Sequence, residues 1–282
     1  MFVHPHPDDE SIACGGTLAR YVDEGVRVMV ITCTGGEEGD NLAGIDLAGQ
    51  EMAAVRRREL AAALSVLGVE HHVMLGYRDS GMAGTSGNRH PDSFHRADLE
   101  EAATRLAGVL RTFRPDVVVS DDERGTYGHP DHVKAHAVTT RGVELAAAPD
   151  APLDVPPWEV AKRYVHALPK GRLLAVHHRL VQLGLASPFG DVDTLAAEDV
   201  PFGVDDHLVT TALDVRPWLE RKRDAMRAHA SQIGAESFFL NLPADVAEDT
   251  FGTEYYVLAD GVRGAAGVED DLLAGLRSRR PR

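Results

Sequence analysis

Val26-Arg27-Val28-Met29-Val30-Ile31-Thr32-Cys33 is a short apolar run rich in β-branched residues, and its length favours a strand over a helix. Upstream, Ala13 to Glu24 reads as a helix with Leu18, Ala19, Tyr21 and Val22 near one face, stopped by Gly25. Phe2-Val3 is then the tail of a first strand. Downstream the alternation continues. A helix over Gln50 to Leu67 ends at Gly68, and His72 to Leu75 is a short strand. Leu99 to Thr112 is a helix, Pro115 to Ser120 holds a strand, and Pro130 to Ala148 is a helix. Strands and helices in turn predict a mostly parallel sheet flanked by helices, an α/β fold.

Ala146 to Pro157 is rich in Ala, Pro and Asp and reads as a linker or surface loop. Beyond it the pattern predicts a strand over Arg163 to Ala167. An inserted helix follows over Leu173 to Leu185, ended by Pro188 and Gly190. A strand over His207 to Val215, a helix over Trp218 to Ala230 and a last strand over Glu254 to Leu258 complete the chain. There is no internal repeat.

The 282 residues, 44% hydrophobic and 26% charged, suffice for a substantial core. The formal net charge of -15 argues against nucleic acid and against an anionic membrane surface as partners. Cys14 and Cys33 are too few for a disulfide framework and fit a reduced, cytoplasmic chain. No apolar run reaches membrane-span length, and Met1-Phe2-Val3-His4 is no signal peptide. So abrupt an opening suggests a trimmed first strand or a start further upstream. A homo-oligomer is left open.

Chemistry concentrates in two stretches. His4-Pro5-His6-Pro7-Asp8-Asp9-Glu10 follows a strand and precedes a helix, at the carboxyl edge where ligands bind in a doubly wound sheet. Tyr127-Gly128-His129-Pro130-Asp131-His132 follows another strand to the same edge. His6, Asp9 and His132 together offer two nitrogens and one oxygen, with a position left for water, as catalytic zinc requires. Asp8 is placed to take a proton from water, and His129 to protonate a leaving amine or stabilise developing charge. Tyr127 offers a hydroxyl to an oxyanion, and Asp131 can orient an imidazole. Two His and a carboxylate also suit iron.

Each motif has a plainer meaning on its own. A lone His-Pro-Asp is ordinarily a turn, and Asp-Asp-Glu a solvated helix start. Their coincidence at one sheet edge is what points to a metal centre. His71, His72, His177, His178 and His207 read as surface or core residues, and His136 as a neighbour of the site.

In length, order and separation, His6-Pro7-Asp8-Asp9-Glu10 and His129-Pro130-Asp131-His132 resemble the paired motifs of the PIG-L/LmbE-like zinc deacetylases. The resemblance covers most of the chain. It extends to Gly36-Glu37-Glu38-Gly39, to Arg78 through Thr85, and to Asp271 through Leu276, stretches most similar to the mycothiol-pathway branch of that family. It implies a Rossmann-like α/β fold with a smaller C-terminal extension. Residues 1–282 then form one deacetylase domain, 1–148 the core with the metal site, and 149–282 the completing strands, inserted helix and pocket rim. It also implies zinc as cofactor and a small-molecule amino sugar as substrate, such as N-acetylglucosaminyl-inositol.

Carried over residue by residue, the resemblance makes His6, Asp9 and His132 the metal ligands and Asp8 the general base. His129, with Asp131 beside it, becomes the acid or oxyanion stabiliser, and Tyr127 a mobile contact to the carbonyl. It makes Arg56, Asp79 and Met82 sugar contacts, and Asp40 a shorter substitute for a sugar-binding Glu. Without it, Arg56-Arg57-Arg58 is a solvated helix face and Asp79-Ser80-Gly81 a turn. Leu173 to Val204 departs from the family pattern, which leaves the group beyond the glucosamine open. An amidase on a thiol conjugate, a deacetylase of a glycosylated antibiotic, and a non-enzymatic metal or sugar binder are the rival readings.

Overall fold

The computed structural model describes residues 1–277 apart from 43, 188, 190–195 and 197–198. Seven strands form one sheet: β1 (Phe2–His4), β2 (Met29–Thr34), β3 (His71–Tyr77), β4 (Val117–Ser120), β5 (Lys162–Ala167), β6 (Thr211–Asp214) and β7 (Thr253–Gly261). Their order is β3-β2-β1-β4-β5-β7-β6. The first five are mutually parallel, and β7 runs antiparallel to both of its neighbours. The mostly parallel sheet expected from the alternating pattern is therefore present. Residues beyond 149 contribute three strands to that same sheet.

The helices are α1 (Asp9–Asp23), α2 (Met52–Leu67), α3 (Leu99–Phe113), the single turn α4 (Gly125–Gly128), α5 (Pro130–Ala147), α6 (Lys170–Gln182), α7 (Leu219–Ala228) and α8 (Ala244–Phe251). Successive strand residues point to opposite faces, which divides the core in two. Phe2, Val30 and Val119 face one cluster with Leu18 of α1, Leu60 and Leu64 of α2, and Ala225 of α7. Val3, Ile31 and Val118 face the other, with Leu106 and Leu110 of α3 and Ala135 and Val138 of α5. The register Phe2↔Val30 and Val3↔Ile31 aligns the two faces across β1 and β2.

The differences from expectation have local causes. Helix α1 begins at Asp9 rather than Ala13. The Asp8 carbonyl already accepts from the N–H groups of Ser11 and Ile12, and both prolines stay outside the helix. Strand β6 is shorter than expected because Asp206–Leu208 turns as a 3-10 helix. Helix α8 had no clear periodic signal. The inserted helix is present as α6 and starts at Lys170; Pro188 and Gly190 lie outside the described residues. Gly68 closes α2 at φ 78°, a conformation that costs glycine little. The segment after α5 is fastened by buried Arg111, which donates to the carbonyl oxygens of Leu145, Ala146, Leu153 and Val155.

The chain leaves β1 toward β2 on one side and reaches β4 on the other. The carboxyl ends of β1 and β4 are thus the topological switch point, where an open α/β sheet leaves a crevice.

Candidate active site

Both motifs meet in that crevice. The imidazole centroids of His6 and His132 are 5.4 Å apart, those of His6 and His129 4.7 Å, and those of His129 and His132 5.3 Å. Asp9 lies between two of them, with Oδ2 3.4 Å from Nδ1 of His6 and Oδ1 3.6 Å from Nε2 of His132. The backbone N–H of His6 donates to Asp9 Oδ2 at 2.9 Å, fixing that carboxylate.

Buried carboxylates stand behind the rings. Nε2 of His6 pairs with Asp131 Oδ2 at 3.2 Å, and Asp79 Oδ1 lies 3.4 Å from the same nitrogen. Asp131 also accepts from Ser80 N–H at 2.8 Å and from the Ser80 hydroxyl. It is fully buried and orients His6 from behind, away from the cavity. Nδ1 of His132 pairs with Asp121 Oδ1 at 2.6 Å, and His166 Nε2 meets the same oxygen at 2.9 Å.

These contacts test the fit of a divalent cation. Nε2 of His132 is buried and has no hydrogen-bond partner among the described residues, although its other nitrogen is held. A ligating imidazole needs that arrangement: one nitrogen on a carboxylate, the other turned to the ion. Tetrahedral ligands about 2.1 Å from zinc lie roughly 3.4 Å from one another, close to the spacings Asp9 makes with His6 and His132. His129 is also near enough, since one ligand atom each from His6, His129 and His132 lies within 4.8 Å of the others. Its Nδ1, however, accepts the N–H of Asp131 at 3.1 Å. The remaining nitrogen therefore carries the proton and acts as a donor. A second group, His6, Asp79 and Asp131, is equally compact. There the Asp131 oxygens are already taken by Ser80 and His6. The donors best fitted to a cation are His6, Asp9 and His132.

The site's electrostatics follow from burial and close charges. Burial, opposed by Arg56, lifts Asp8 to about 6. Burial also favours the neutral form of Asp9, yet His132 and His6 together hold it well below the usual carboxylate range. Burial and the nearby His6 and His132 press His129 down to about 4, so its imidazole is neutral at neutral pH. Burial lowers His132, but Asp121 and Asp9 outweigh that and lift it to about 9. Burial raises the Tyr127 phenol and keeps it protonated.

One cavity of about 610 Å³ holds these groups, lined by His6, Asp8, Asp9, Tyr127, His129 and His132. Arg56, Asp79 and Met82, expected as sugar contacts, also reach its wall. Arg56 is only 4% exposed, and its guanidinium is engaged by the Pro7 and Gly36 carbonyls and by Asp8. Asp79 is likewise held, accepting from Gly81 N–H at 2.8 Å. Asp40 is exposed and outside the lining, while Glu38, two residues earlier, lies within it. Tyr127 is 55% exposed at the mouth, its ring 5.4 Å from that of His132.

Beyond the polar end the cavity turns apolar. Phe189 and Phe202 pack 5.5 Å apart, and Phe238 and Phe239 each pack on Phe251 at 5.9 and 6.1 Å. All five rings line the cavity.

Sequence reading passed over Asp121, His166 and His229. Asp121 and His166 sit at the carboxyl ends of β4 and β5, and that position was a usable signal. His229 follows α7 and carries no local signature. His136, placed near the site, meets the Asp121 carbonyl with its Nδ1 at 2.9 Å.

Comparison with known proteins agrees with this geometry. Residues 1–143 match the family described as PIG-L, GlcNAc-PI de-N-acetylase. A relative from Geodermatophilus obscurus, named 1D-myo-inositol 2-acetamido-2-deoxy-alpha-D-glucopyranoside deacetylase, is 47% identical over 98% of this chain and 97% of its own. A conserved protein of Thermus thermophilus shares the fold at a TM-score of 0.58 and 23% identity, over 93% of this chain and 94% of that one. The N,N'-diacetylchitobiose deacetylase of Pyrococcus horikoshii does so at 0.55 and 22%, over 88% and 72%. The family match runs through both His-Asp motifs and the Geodermatophilus relative spans nearly the whole chain, so this protein belongs to the PIG-L family of deacetylases.

Proposed function

We propose that this protein is a zinc-dependent deacetylase that removes the acetyl group from the nitrogen of an N-acetylglucosamine derivative, N-acetylglucosaminyl-inositol in mycothiol biosynthesis. The observation that carries the reading is the single cavity in which Asp8, Tyr127 and His129 stand beside His6, Asp9 and His132, whose spacings and unpaired His132 Nε2 fit a cation. The name of the 47% identical relative supports the substrate. Zinc is the cation we assign, because two His and one carboxylate with a position left for water match catalytic zinc; the same donors suit iron, and metal analysis decides between the two.

His6, Asp9 and His132 hold the cation, which when bound supplies Lewis acidity toward the amide carbonyl and makes water easier to deprotonate. Asp8 takes the proton of the attacking water. Its position near neutral pH suits a base that must later give that proton up. His129 is neutral, and its Nε2–H donates to the oxygen that becomes negative as the carbonyl turns tetrahedral. The protonated Tyr127 hydroxyl donates to that same oxygen from the mouth. Collapse breaks the carbon–nitrogen bond, the proton held on Asp8 passes to the departing amine, and acetate leaves. Arg56, Asp79 and Met82 form the wall against which the sugar lies, and we assign Asp40 no more than a place at the outer rim.

We read residues 1–282 as one catalytic unit acting in the cytoplasm. Two free, buried cysteines support that compartment. Among the described residues no helix is long and apolar enough to cross a membrane. The excess of acidic residues disfavours nucleic acid as a partner.

The phenylalanine-lined half of the cavity favours a second reading: hydrolysis of a larger amide conjugate with an apolar group on the same glucosamine core. Release of the free amine, the product common to both hydrolyses, measured on each substrate with the zinc-loaded protein separates the two. Turnover of N-acetylglucosaminyl-inositol by the zinc-loaded protein supports the first. Turnover confined to aryl or alkyl conjugates replaces it with the second.

A further inference from the structure

Asp8 is one of only four non-glycine residues with positive φ among the described residues, at φ 121° and ψ -30°. A side chain is held there only when its surroundings over-determine it. The peptide unit joining Pro7 to Asp8, whose orientation sets that φ, is gripped at both ends. Its carbonyl oxygen accepts from Arg56 Nη2 at 2.6 Å, and its N–H donates to Glu10 Oε2 at 3.0 Å.

Each grip is itself anchored. The other oxygen of fully buried Glu10 meets His229 Nε2 at 2.8 Å and accepts from the Ser11 hydroxyl at 2.5 Å. Arg56 Nη1 donates to the Gly36 carbonyl at 3.1 Å. Gly36 lies at φ 70°, where an added Cβ would stand 2.4 Å from the guanidinium. The loop bearing His229 is fastened nearby. Ser231 gives its N–H and its hydroxyl to Glu59 at 2.7 Å each, one turn beyond Arg56 on α2. Glu10 and His229 are fully buried and do not line the cavity, so neither touches a substrate there.

We propose that Glu10 and His229 are positioning residues for the deacetylation: through the Asp8 N–H they hold the Pro7–Asp8 peptide in its left-handed setting and so aim the Asp8 carboxylate into the cavity. The inference rests on the reading of Asp8 as the base. It assigns a task to the third acidic residue of the Asp8-Asp9-Glu10 run and to a histidine 219 positions away.

The test uses the zinc-loaded full chain, acetate release from N-acetylglucosaminyl-inositol, and metal analysis of each variant. Glu10→Ala is expected to lower kcat by about 10- to 100-fold, as a small misplacement of a reacting group does, with KM and zinc content unchanged. Glu10→Gln, whose amide oxygen can still accept from the Asp8 N–H, recovers most of that loss. Added to Asp8→Ala, Glu10→Ala causes no further loss, because the two act through one group. A further loss of the same size on the residual rate of Asp8→Ala, or wild-type kcat for Glu10→Ala while Asp8→Ala falls to that residual rate, overturns the proposal alone. Full turnover by Asp8→Ala overturns the base reading first.

A second measurement needs neither metal nor turnover. At position 8 glycine relieves the positive φ and alanine does not. Asp8→Gly should therefore melt several degrees above Asp8→Ala, and the gap should close when His229→Phe removes the donor that anchors Glu10. A gap that persists unchanged contradicts the clamp.

Discussion

Oδ1 of Asp121 lies 2.6 Å from Nδ1 of His132, a contact that fixes which nitrogen of that ring faces the cavity. His166 leans on the same oxygen. Asp121 is thus the only carboxylate among the described residues that pairs with His132 from behind, and the ring depends on it for its tautomer. Asp121→Asn should weaken zinc binding by about 10- to 100-fold, read by competition with a chromophoric chelator. Unchanged affinity would show that His132 needs no such support.

Arg56 restrains the rise that burial imposes on Asp8. A general base works above its pKa, so on the proposed role of Asp8 acetate release falls as pH drops through its titration, near 6 without the cation and lower with it. Arg56→Gln removes the restraining charge and should move this acidic limb to higher pH, as seen in a profile of kcat/KM. A limb that stays in place would separate Arg56 from Asp8.

Lys222 and Glu254 form a buried pair at 2.6 Å, exposed to only 2% and 4%. The carboxylate also accepts from the N–H groups of Gly16 and Thr17 on α1 at 2.9 and 2.8 Å. Glu254→Ala leaves an ammonium unpaired in the interior and should cost about 3–5 kcal/mol in urea unfolding. A loss below about 1 kcal/mol would mean that water reaches the ammonium.

Phe238 and Phe239 belong to the apolar end of the cavity. Burying a phenyl ring against them is worth about 1.5–3 kcal/mol, so truncating either to Ala should raise KM for an aryl N-acetylglucosaminide by roughly ten-fold or more. KM for plain N-acetylglucosamine should barely move. Equal effects on both substrates would remove the aromatic wall from substrate selection.

The parallel core and the two motifs were legible because each is written locally. Val26 to Cys33 has the composition of a strand, and His6, Asp9 and His132 follow strands at the edge where ligands collect. The resemblance supplied Arg56 and Asp79, but only packing reveals how far both are already engaged within the protein. Asp131 was expected beside His129. The His129 imidazole does accept the Asp131 N–H, while the Asp131 carboxylate turns to His6, because α5 points it inward. Helix α8, the antiparallel insertion of β7 and the reach of His229 depend on contacts between residues far apart in sequence. No local period encodes these.

Strand β7 occupies the slot between β5 and β6. Strand β6, though synthesised earlier, pairs among the described residues only with later chain, with β7 and through a bridge from Thr211 to Glu269, so it has no ladder to join until residues 253–261 arrive. During synthesis the ribosome therefore releases both His-Asp motifs long before the wall bearing Glu254 and Tyr255 can close. Late docking of β7 is the step on which hydrogen-exchange protection of β6 should wait.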